Sequence, residues 1–103
     1  MENVITRIWH GRTRAKDAEV YLEYVQDTGI MEYRGIKGNI SAEIWRKIED
    51  DVCHFWTVTK WDSYDSIKLF AGADFEKAKY YDEDAKYLLE FEEHVKHMET
   101  FIY

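Results

Sequence analysis

At 103 residues the chain has room for one domain, 1–103, and none for a second. Apolar residues at 46% and aromatics at 17% exclude a disordered chain. The net charge of −7 excludes a nucleic-acid binder built on a basic stripe, for which Arg7, Arg12 and Arg14 are too few.

No apolar run approaches the roughly 18–20 residues of a membrane span, and Met1-Glu2-Asn3 does not open a secretory signal. The expectation is a soluble cytoplasmic protein with neither nucleic acid nor membrane as partner. A single cysteine, Cys53, has no partner for an internal disulfide, which fits a reducing compartment; its expected place is buried on a strand. Four Trp, eight Tyr and five Phe bring about 150–250 Å² of surface each. A domain this small buries only about two-thirds of its unfolded surface, so some of these rings are expected to line a pocket or a subunit interface.

In chain order, Val4 to His10 is β-branched and aromatic, and predicts the first strand. From Arg14 to Thr28 the positions Ala18, Tyr21, Leu22 and Val25 fall on one helical face, and Gly29 is the expected stop. Gly35 and Gly38 mark a bend. Asn39 to Ile48 alternates, with Ile40, Ala42, Ile44, Arg46 and Ile48 on one face. Glu49-Asp50-Asp51 is a turn, and Val52 to Trp61 completes an antiparallel hairpin. Asp62 or Ser63 caps a helix carrying Ile67, Phe70 and Ala71, which ends at Gly72. A further helix, kinked near Tyr80-Tyr81-Asp82, is expected from about Asp74 to Leu89, and His94 to Ile102 forms the last strand. Nine acids and four lysines between Asp74 and Glu99 hold −5 of the −7 net charge.

The order strand, helix, strand, strand, helix, strand defines an α+β, ferredoxin-like split βαββαβ fold, with helices on one face of a four-stranded antiparallel sheet. In the third strand Val52, His54, Trp56 and Val58 alternate with Cys53, Phe55, Thr57 and Trp61, so neither face is plainly solvated. A homodimer packing sheet against sheet supplies the missing cover.

The junction Thr59-Lys60-Trp61-Asp62-Ser63, the segment Ile67-Lys68-Leu69-Phe70 and the run Asp74-Phe75-Glu76-Lys77-Ala78-Lys79-Tyr80 resemble the antibiotic biosynthesis monooxygenase superfamily over nearly the whole chain. That resemblance implies a dimeric α/β barrel and a cavity between sheet and helices in each subunit. It implies either a cofactor-independent oxygenase of a small planar aromatic substrate or, as the alternative, a non-catalytic dimeric small-molecule-binding or stress-related module. In the haem-degrading branch a Trp and, ten residues on, an iron-ligating His follow the junction. Here those positions are Phe70 and Tyr80, which argues against haem chemistry although a phenolate can ligate ferric iron. No cofactor is expected.

His54 is the candidate base, because a neutral imidazole can take the proton of a phenolic substrate; the competing reading is a His tied to a neighbouring strand. Tyr80 and Tyr81 are candidate phenols to orient that substrate, or else rings packed over the sheet with their hydroxyls in water. Trp9, Trp56, Phe70 and His97 are candidate substrate contacts, and any of them can equally be core. His94 and His97, three apart on a strand, lie on opposite faces and cannot share an ion. No metal site is expected, and Glu90, Glu92 and Glu93 read as a solvated acidic turn.

Overall fold

A computed structural model describes residues 4–103; Met1-Glu2-Asn3, on which the absence of a secretory signal is read, lies outside the described residues. The first strand, β1, is longer than expected, running from Val4 to Arg14 rather than to His10. Gly11 permits this, since a Cβ there would lie 2.4 Å from the Trp9 ring folded over it. The hairpin forms as read: β2 (Asn39–Glu49) and β3 (Val52–Trp61) pair antiparallel around Asp50-Asp51, with Asp50 at φ 54°. The last strand, β4, is shorter than expected, Lys96–Thr100.

The four strands are ordered β2-β3-β1-β4 and all neighbours are antiparallel, so the ferredoxin-like α+β architecture stands. Only the first half of β1, Val4 to Ile8, pairs with β4. The edge of its second half is taken by Leu88 and Leu89, where Thr13 bridges Leu88 and the Leu89 N–H donates to the Arg12 carbonyl at 2.9 Å.

The helical layer departs further from the sequence reading. The first helical stretch opens with a tight turn at Ala15–Asp17, continues as α1 (Ala18–Val25), widens by one residue over Gln26–Ile30 and closes as α2 (Met31–Arg34). Gly29 is therefore not the stop; Gly35 is. The Thr28 hydroxyl donates to the Tyr24 carbonyl at 2.8 Å, which favours the widened turn, and Gly29 is buried against Tyr33. The next helix, α3 (Tyr64–Ala71), is capped by Ser63, whose side chain accepts the Ser66 N–H, and ends at Gly72 with φ 83°, as expected.

The helix expected from Asp74 to Leu89 is replaced by irregular chain with one short turn, α4 (Asp84–Tyr87). The reason lies in where the backbone finds its partners. Ala78 N–H donates to the Glu93 carbonyl and Val95 N–H to the Glu76 carbonyl, at 2.9 and 2.8 Å, so this stretch is pinned in extended form beside His94.

Period-two alternation then sorts the sheet. Arg7, Trp9 and Thr13 of β1 and Cys53, Phe55, Thr57, Thr59 and Trp61 of β3 face the helices and are buried. One core cluster gathers Trp9, Tyr21, Val25, Cys53, Phe55 and Leu88; a second gathers Ile5, Tyr33, Trp61, Ile67 and Phe70. The opposite face, with Ile8, His10, His54, Trp56, Trp45 and Met98, carries no helix among the described residues.

Candidate functional site

The seven residues singled out by the sequence fall on two sides of the sheet. Trp9, Phe70, Tyr80, Tyr81 and His97 are on the helix side, whereas His54 and Trp56 are on the open face. A single cavity between sheet and helices cannot use all of them. The space there that Trp9, Tyr80 and Tyr81 share is only about 20 Å³, room for a water or two and not for an aromatic ring.

Phe70 is core, packed edge-on to Tyr33 at 4.6 Å between ring centroids. His97 packs between Phe75 and Tyr64. Burial, reinforced by neighbouring Arg7, pushes its pKa down to about 4, so it is neutral at physiological pH. Tyr80 is turned inward: its hydroxyl donates to the Glu92 carbonyl at 2.6 Å and accepts the Trp9 indole N–H at 3.3 Å. The Tyr81 hydroxyl donates to Glu32, which also holds Lys79 at 2.8 Å. Burial raises the pKa of both phenols, that of Tyr81 strongly and with help from Glu32.

The open face is different. A groove of about 680 Å³ lies along it, lined among others by His10, His54, Trp56, Trp45, Glu92 and His94. Strand register creates its chemistry: His10 on β1 is paired with Trp56 on β3 and stands diagonal to His54. His10 Nε2 and His54 Nδ1 are 2.9 Å apart, their rings stack with centroids 5.2 Å apart, and Trp56 stacks on His54 at 5.7 Å. The Glu92 carboxylate hydrogen-bonds His10 Nδ1, and Glu49 stands 3.6 Å from His54 Nε2.

This chain dictates a proton arrangement. An ionised carboxylate only accepts, so His10 donates from Nδ1 and presents a bare Nε2. With both rings neutral, His54 then donates from Nδ1 and keeps a lone pair on Nε2. A proton taken there lands 3.6 Å from Glu49. The arrangement is that of a general base oriented through its second nitrogen. Sequence reading found His54 and Trp56 but missed the roles of His10 and Glu92. The signal for them was the register between β1 and β3 and the crossing of the Glu92 loop, neither of which is local.

His94 also lines the groove while His97 faces the helices, so the two are on opposite sides as the spacing implies. Among the described residues no cluster of His, Cys, Asp and Glu is placed to hold a metal ion, and no helix is long and apolar enough to cross a membrane.

No family model matches the chain, and no curated protein matches it. Solved structures do. A candidate antibiotic biosynthesis monooxygenase from Bacillus cereus aligns over 99% of this chain and 94% of its own, with TM-score 0.59 and 13% identity. A second candidate of the same description from Nitrosomonas europaea aligns over 96% and 88%, with TM-score 0.60 and 13% identity. At that identity the likeness shows the fold: this chain has the ferredoxin-like fold of the antibiotic biosynthesis monooxygenase type.

Proposed function

We propose that the protein is a homodimeric, cofactor-independent oxygenase of a small planar aromatic molecule held in the groove on the open sheet face. The observation that carries this reading is the hydrogen-bonded chain Glu92, His10, His54, stacked beside Trp56 in a groove of about 680 Å³. A flat ring stacks on the indoles of Trp56 and Trp45, and His54 Nε2 removes the acidic C–H or O–H proton. The resulting anion gives its electrons to dioxygen. For a methylene substrate the balance is one CH₂ plus O₂ to one C=O plus water, with the proton held by His54 returned to the departing hydroxide. A second copy covers the face, and its sheet closes the groove into a water-poor chamber. The similarity to candidate monooxygenases supports the reaction class by analogy of fold.

The test pairs binding with turnover. Quenching of tryptophan fluorescence by an anthrone-like or quinol compound should saturate, and oxygen uptake with the same compound should follow. His54→Ala should keep the quenching and lose uptake by about 10²–10⁴-fold. Saturable quenching without any oxygen uptake in the wild type makes the protein a binding module instead, and no quenching at all removes the groove as a site.

A further inference from the structure

The helix side of the sheet holds a buried cation that the groove chemistry does not use. Arg7 lies in the middle of β1 and is 2% exposed. Its Nη2 donates to the Lys77 carbonyl at 3.2 Å, its guanidinium carbon sits 5.3 Å from the Phe70 ring centroid, and its Nε has no acceptor. Among the described residues it forms no ion pair with a carboxylate. The two acids nearest the pocket are already engaged. Asp84 accepts from the Tyr21 hydroxyl at 2.8 Å and the Tyr81 N–H at 2.6 Å, and Glu32 accepts from Lys79 and Tyr81. Directly across on β4, His97 is held neutral and its Nε2 is likewise without a partner, so it supplies no counter-charge.

A guanidinium cannot shed its proton to escape burial, and an isolated buried charge is costly until it is paired. Phe70 offers partial compensation through its ring face. The remainder points to the small space beside Arg7. It measures about 20 Å³ and is walled by Trp9, Tyr33, Thr57, Tyr80 and Tyr81. The widened turn Gln26–Ile30 brings Thr28 and side-chain-free Gly29 to the same space, and widened turns of this kind are frequent at functional sites.

We propose that this pocket is a receptor for the carboxylate head of a small organic acid, with Arg7 as the binding residue. The space, of the size of one or two waters, suits the two oxygens of a carboxylate better than the four of a sulfate or phosphate. A planar guanidinium matches a planar carboxylate, and Asp84 on the pocket's wall opposes a dianion more than a monoanion. The site is separate from the groove across the sheet and does not depend on catalysis there.

The experiment follows the Arg7 Nε–H resonance of the wild-type protein by ¹H–¹⁵N correlation at constant ionic strength, titrating formate, its neutral isostere formamide, and sulfate. Formate should shift the resonance saturably while formamide and sulfate leave it in place. Arg7→Lys should weaken formate binding by more than about tenfold; because the wild-type titration stands alone, failure of that variant to fold does not blunt the test. An Nε–H that formate does not move makes Arg7 a structural cation only and overturns the proposal. Equal responses to formate and formamide, or to formate and sulfate, overturn the carboxylate assignment.

Discussion

Tyr80 has the chemistry of a substrate contact but not the position of one. Its hydroxyl is occupied by the Glu92 carbonyl and the Trp9 indole, so it holds the backbone whose side chain orients His10. In the proposed reaction Tyr80→Phe should therefore lower kcat several-fold, well short of the loss in His54→Ala, with KM unchanged; steady-state oxygen uptake checks the split, and a change confined to KM would contradict the positioning role. His97 carries a prediction of opposite kind. Its native pKa of about 4 lies below its unfolded value near 6.5, so the unfolded chain binds the extra proton first. The stability this contributes is complete above pH 6.5 and is lost as pH falls towards 4, by up to about 3 kcal/mol. Urea unfolding at pH 7 and pH 4.5 should show a smaller acid loss for His97→Gln than for the wild type, and parallel losses would disprove it. Cys53 is fully buried and burial raises its thiol pKa. Native protein should resist iodoacetamide at pH 7.5 and react only when unfolded.

Two glycines three positions apart in the α2-to-β2 bend, Gly35 and Gly38, behave differently under the same substitution. Gly38 has φ 103°, and a Cβ there would lie 2.1 Å from the Ser66 hydroxyl oxygen. Gly35 has φ −81° and only ordinary contacts at 3.5 Å. Chemical denaturation should find Gly38→Ala destabilised by about 1–3 kcal/mol and Gly35→Ala within about 1 kcal/mol of the wild type, on the stabilising side. At this scale the hairpin Asn39 to Trp61 was legible because alternation is a local property and its turn is two residues long. The helix cap at Ser63 and the stop at Gly72 were legible for the same reason. Asp74 to Leu89 was misread as helix because its partners, residues 93–95 and the far end of β1, are distant in sequence. Gly29 was misread as a stop because its fit against Tyr33 is a packing fact and not a propensity.

The sheet as a whole has one covered face and one bare face. Trp45 and Met98 on the bare face are about half exposed, and the proposed homodimer buries them. Sedimentation should give a dimer at micromolar concentration, and Trp45→Glu should shift it to monomer with its fold intact by circular dichroism; a monomeric wild type would remove the closed chamber from the proposed mechanism. The amino-acid sequence by itself determined the single α+β topology, the hairpin, the buried Cys53 and the excess of aromatic surface, because each follows from composition or from periodicities of two and 3.6 along the chain. Only the tertiary structure decided which face each chemical group serves. Register between β1 and β3 brings His10 to His54, a loop crossing brings Glu92 to His10, and the helical layer buries Arg7 without an ion pair among the described residues. Those are relations between residues 44 to 82 positions apart, set by strand pairing and burial rather than by any local pattern.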